Sequence, residues 1–222
     1  MYRKLVLIVG AICLIVGPLG DLLWGVVSPV GEAASAKASV AAILADPGAD
    51  RAAVWLDLAI LLLIPAALFV GRVLQASVRP LVGVGSGLLF LGSLLFTYSL
   101  GNDVVLLAAS QTDGAATAQA FAESGVVSLT TILAIVLQFV GVVLLGIAAL
   151  RSRLIPVWAG VFLIAWNPVQ VIGTVIGVKP VESLGDVLLL AAYAAVAVRL
   201  IRPVAGAVAA PRTARIPAAA DH

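Results

Sequence analysis

Three carboxylates and three amides are the residues of this chain best placed to do chemistry. Asp21, Asp57 and Asp186 each lie within or at the edge of a long apolar run. An ionisable group at the centre of a membrane helix costs about 2.5–3.5 kcal/mol on insertion scales, so each needs a physical reason to be there. Three carboxylates around one cavity form a candidate ion or proton site, able to bind a cation or share a proton. Asp57 and Asp186 also have a structural explanation. Both are expected in the first turn of their helices, where the helix dipole favours a negative charge, and Ser183-x-x-Asp186 resembles a helix-start signature. Asp21 lacks that explanation. It lies in the C-terminal half of its run, after Gly17-Pro18-Leu19-Gly20, where Pro18 removes one backbone donor. The alternative for Asp21 is a group that faces an outer vestibule, or that protonation or hydrogen bonding neutralises.

Gln138, Asn167 and Gln170 make a second, intramembrane polar set, nearer the midplane. Pro168 deprives the Ile164 carbonyl of its helix donor. The plainer alternative is that these amides bond helix to helix, at about 0.6 kcal/mol each. Enzyme motifs are absent: there is no Ser-His arrangement, no phosphate loop and no metal-ligand spacing. His222 is the only histidine and Cys13 the only cysteine, so neither an internal His-ligated metal or haem nor an intrachain disulfide can be built. Lys4, Lys37 and Lys179 lie outside the apolar runs, which leaves no lysine for a buried Schiff base. No cofactor and no metal are expected.

The elements that must position these residues are membrane helices. Of 222 residues, 63% are hydrophobic and 11% charged, and the mean hydropathy is +1.19. That leaves too little polar surface for a soluble domain. The apolar runs are continuous rather than alternating, which favours helices over a barrel. The expectation is an all-α bundle of six transmembrane helices in one unit, residues 1–203. The spans fall at about 5–27, 53–73, 80–102, 126–150, 155–178 and 184–200. Residues 204–222, rich in Ala and Pro, are expected as a disordered tail. The first run follows Met1-Tyr2-Arg3-Lys4 and is too long for a signal peptide, so it reads as a retained span. Gly83-x-x-x-Gly87 in the third span would permit close helix contact.

Arg151 and Arg153 lie in the short turn between the fourth and fifth spans, and this suits a cytoplasmic hairpin. With that turn inside, ten basic residues fall on the cytoplasmic side: Arg3, Lys4, Arg72, Arg79, Arg151, Arg153, Arg199, Arg202, Arg212 and Arg215. Only Lys37, Arg51 and Lys179 fall outside. Both termini are therefore expected in the cytoplasm. A faint echo at an offset of about 75 residues relates Gly71 and Pro80 to Gly146 and Pro156. It fits two parallel copies of one hairpin, and short apolar vocabularies also produce such echoes.

The turn itself, Leu154-Ile155-Pro156-Val157-Trp158, resembles a pattern in a family of small six-helix bacterial integral membrane proteins of unknown function. That resemblance covers most of the chain and implies the same topology, without implying an activity or ligand. Two functions are expected. One is a non-enzymatic accessory, assembly or lipid-interacting bundle of the bacterial inner (plasma) membrane. The other is a small transporter or ion-coupled carrier that uses the outer carboxylates. Membrane lipids, and a second copy or a membrane protein, are the expected partners, and nucleic acid is not.

Overall fold

The computed structural model describes residues 2–28, 36–75, 78–112, 116, 120–121 and 123–202, and among these it is helical, without strands. The helices are α1 (Tyr2–Val27), α2 (Ala36–Ala45), α3 (Pro47–Ile60), α4 (Leu63–Leu74), α5 (Arg79–Ser110), α6 (Gly125–Ser152), α7 (Val157–Ile176) and α8 (Lys179–Ile201). The expected tail, 204–222, lies outside the described residues. Among the described residues five helical stretches are long and apolar enough to cross a membrane, with α3 and α4 counted together as Pro47–Leu74. The fifth run forms the shorter apolar helix α7.

Two of these stretches begin earlier than about 53 and 184. Asp46 caps α3, its carboxylate accepting the Ala49 N–H at 3.0 Å, and Pro47 takes a first-turn position where no donor is needed. Pro180 does the same at the start of α8. The third stretch runs beyond residue 102 to Ser110. Ser124 caps α6 by accepting the Val127 N–H, and Arg153 ends it with φ 52°. Ser152 Oγ ties that turn, donating to the Ala149 carbonyl and accepting the Leu154 N–H. Gly177, with φ 67°, makes the left-handed turn between α7 and α8.

Neighbouring helices close a ring: α1 against α3 and α4, then α5, α6, α7 and α8, which returns to α1. Within it α4 touches α1, α5, α6 and α8. Ala66, Ala67, Val70 and Leu74 of α4 are therefore completely buried, in a core shared with Leu145, Ala148 and Val196. The outward face is apolar too, with Ile8 and Ile12 of α1, Leu129 and Ile132 of α6, and Ile172 and Val175 of α7 exposed. A water-facing bundle would not present such a belt, whereas lipid accepts it.

Because the helices alternate in direction, one end of the ring collects Lys4, Arg72, Arg79, Arg151, Arg153, Arg199 and Arg202. The other collects Asp21, Asp50, Asp57, Asp103, Glu182 and Asp186, together with Lys37, Arg51 and Lys179. At the acidic end α2 lies across α3 and α5, with Val40 and Ile43 packed on Leu106 and Ala109.

Glycine sets the tightest approach, but not at the expected pair. A Cβ added to Gly83 or Gly87 would meet nothing, and both face outward. The contact face of α5 is instead Gly85 and Gly92, which lie against Gly141 and Gln138 of α6. Residues seven apart share a seam in this packing, and Gly83-x-x-x-Gly87 falls on the wrong side of the helix. Gly83→Leu and Gly87→Leu are therefore expected to melt in detergent like the wild type. A lowered midpoint for either would return that face to the bundle.

The two hairpins at the basic end close alike. Gly71 of α4 meets Ser86 of α5, and Gly146 of α6 meets the Gly160 carbonyl of α7. These pairs occupy matching places at the offset of about 75 residues seen in the sequence.

Candidate functional site

The early starts of α3 and α8 change the standing of two carboxylates. The first-turn acid of α3 is Asp50 and that of α8 is Glu182. Asp57 falls instead in the last turn of α3, where the helix dipole opposes a negative charge. Asp186 lies in the second turn of α8, beyond the reach of the first-turn amides. The helix-end explanation expected for both is therefore corrected.

Asp57 is 5% exposed, and neither of its carboxylate oxygens has a hydrogen-bond partner. Asp50, 2% exposed, leaves its Oδ2 unpartnered as well. Around Asp57 lie Asp103 of α5, Asp50 of its own helix and Asp21 of α1, each close enough to act on it electrostatically. Asp21 is half-buried and also acts on Asp186 and Glu182. It is the link between Asp57 on one side and Asp186 on the other.

Asp186, 3% exposed, is better satisfied. Gln170 Nε2 of α7 donates to its Oδ1 at 3.0 Å. Gly25 of α1 lies beside the other oxygen, where an added Cβ would make an ordinary 3.7 Å contact with Oδ2. Gly185 lets the Gln170 backbone approach, and Gly173 lets α8 approach at Glu182. The indole N–H of Trp166 is buried beside Asp186 without closing a hydrogen bond.

Asp21, Asp57 and Asp186 thus occupy one end of the bundle and are linked through Asp21. Among the described residues no three Asp, Glu, His or Cys side chains converge as a metal-ligand set.

The three amides have different neighbours. Gln170 belongs with Asp186. Asn167, 3% exposed, lies one turn away on the same helix. Gln138 lies on the neighbouring helix α6, beside Gly92 of α5. There it lines a cavity of about 10 Å³ with Ile60, Leu61, Leu63, Ser93, Phe96 and Leu100.

The sequence reading did not single out Asp50, Asp103 or Glu182 as site residues. Asp46-Pro47 was the available signal for Asp50, since a cap followed by proline places Asp50 in a first turn. Asp103 is followed by Val104-Val105-Leu106-Leu107, which is the mark of a carboxylate inside a continuing span. Compared with known families, curated proteins and solved structures, the chain matches none.

Proposed function

We propose that this chain is a small, non-enzymatic, ion-coupled membrane carrier of the bacterial inner membrane, with six spans and both termini cytoplasmic. It takes up a proton or a monovalent cation among Asp21, Asp57 and Asp186, with Asp50 and Asp103 completing the acidic surroundings. The supporting observation is Asp57: a nearly fully buried carboxylate with both oxygens unpartnered, other acids nearby, and the wrong end of a helix behind it. An uncompensated charge in such a place costs several kcal/mol, so the group calls for a proton or a counter-charge. Two discontinuities add to this. The Pro-containing segment of α1 crosses the break between α3 and α4, with Gly20 against Ala59 and Gly17 against the Leu63 amide. Carriers commonly place ion sites where membrane helices are interrupted.

Six spans are supported by the length of α7. Its 20 residues extend about 30 Å, one hydrocarbon thickness. The inward orientation of the basic end follows from the retention of Lys and Arg in the cytoplasm. In a Cys13→Ala background, a cysteine at Thr112 is expected to react with an impermeant thiol reagent in intact cells, and one at Ser152 to stay unlabelled. Labelling of Ser152→Cys from outside would invert the protein and remove the outer acidic site.

The second reading is an accessory, assembly or lipid-interacting bundle that acts through contacts alone. The apolar core around α4 and the Gln170–Asp186 bond across α7 and α8 favour it. Asp21→Asn separates the two. A carrier site predicts a normally folded variant that loses cation- or pH-dependent stabilisation, because a ligand bound only to the folded state raises apparent stability. A contact-only bundle predicts that wild type and variant respond identically to sodium and to pH, and that outcome would remove the site.

A further inference from the structure

The break between α3 and α4 is a second polar place in the bundle, distinct from the carboxylates. Pro65 has no N–H to offer the Leu61 carbonyl, which a continuous helix would require. The Ile64 amide turns to Leu61 instead, at 3.1 Å, and the Leu62 amide turns to Ala59, at 3.0 Å. Regular helix bonding would have sent these two amides to Ile60 and Leu58. The Ile60 carbonyl thereby loses its regular donor, at a residue only 4% exposed. An unmatched backbone group inside a membrane protein costs several kcal/mol unless something else satisfies it.

The cavity of about 10 Å³ lies at this point. Its wall brings together the broken segment Ile60–Leu63, the 6%-exposed Ser93 of α5 and Gln138 of α6. Gly92 makes the arrangement possible, since a Cβ there would stand 2.8 Å from Gln138 Cγ. One water molecule needs about 10–15 Å³ and two to four polar partners. Among the lining residues, the Gln138 amide, the Ser93 hydroxyl and the freed Ile60 carbonyl are the groups that can serve as three.

We infer that Gln138, Ser93 and the interrupted backbone at Ile60 form a binding site for a single water molecule, which takes the place of the helix hydrogen bond that the Ile60 carbonyl loses when the Ile64 amide turns to Leu61. The bound water makes the break a hinge. It lets α3, which carries Asp50 and Asp57, tilt on α4 while the chain at the break keeps its hydrogen bonds. A sodium ion at the same place is the competing occupant. It is disfavoured because none of the residues lining the cavity carries a charge.

The test is rapid hydroxyl-radical labelling of the purified protein in detergent, with bound water as the radical source. Phe96 lines the cavity, and Phe162 is a half-buried aromatic outside it. Phe96 is expected to oxidise several-fold faster than Phe162. Gln138→Leu, which fills the space and removes the amide, should bring the two rates together. Pro65→Ala, which returns an N–H to the break, should reduce the excess as well. Equal rates in the wild type overturn the site, and that measurement needs no variant to fold. An excess that survives Gln138→Leu also overturns it, since the water would then lie elsewhere. A sodium-dependent melting shift abolished by Gln138→Leu and retained in Asp57→Asn would replace the water with a cation.

Discussion

Gly141→Leu is expected to prevent the bundle from assembling, or to lower its melting point in detergent further than any substitution on the outward face of α5. A Cβ at Gly141 would stand 2.5 Å from the Leu89 amide nitrogen, 2.8 Å from the Gly85 carbonyl oxygen and 3.0 Å from Leu89 Cα. All three are backbone atoms of α5, so no rotamer change relieves the contact. The two helices must separate, and with them goes the packing that holds membrane helices together in the absence of a hydrophobic driving force. Overpacking a well-filled interior costs typically about 1–3 kcal/mol, and more when backbone must move. The measurement is the melting midpoint and the monodisperse yield, with Gly87→Leu as the outward-facing control. If Gly141→Leu melts with the wild type, the α5–α6 interface is not the one described.

Asp57→Asn is expected to raise stability in sodium-free buffer and to abolish the dependence of melting on sodium and pH. The amide keeps the shape of the carboxylate and removes its charge. Because both oxygens are buried without partners among other acids, removing the charge should gain on the order of 1 kcal/mol or more. In proteoliposomes the same variant should stop any cation or proton flux that the wild type carries. A variant as responsive as the wild type would take Asp57 out of the ion site. A variant less stable than the wild type in every buffer would mean that the carboxylate is held by a bond of its own.

Much of the helical layout was legible because hydrocarbon imposes it. A run without charge between Val126 and Leu150 can hardly be anything but a membrane helix, and α6 occupies it. The start of α3 was harder to see. Asp50 and Arg51 are both charged, and the long apolar run that marks a span begins only after them. The decisive signal was local, a capping aspartate followed by proline, and it moved Asp57 from the first turn of a helix to the last. One misplaced boundary thus turned a carboxylate with an ordinary explanation into one without. The glycines failed differently. Gly83 and Gly87 fit a familiar spacing, but which face of α5 meets α6 depends on the partner helix, and Gly85, Gly92 and Gly141 emerge only when both are present. The cavity beside Gln138 was beyond sequence reading for the same reason, since three separate segments build it.

The separation of the acidic end from the basic end has an electrical consequence. Asp57 lies ten residues beyond Pro47 in a 28-residue span, about a third of the way through. A cation that reaches it from the acidic side would cross part of the transmembrane voltage. Full transit of one charge is worth about 2.3 kcal/mol per 100 mV, so a third of the path is worth roughly 0.8 kcal/mol. With the acidic end outside, an interior-negative potential would draw the ion inward and raise its occupancy of Asp57 about fourfold per 100 mV. The resting voltage of the cell would then set how often Asp57 is filled, at constant ion concentration.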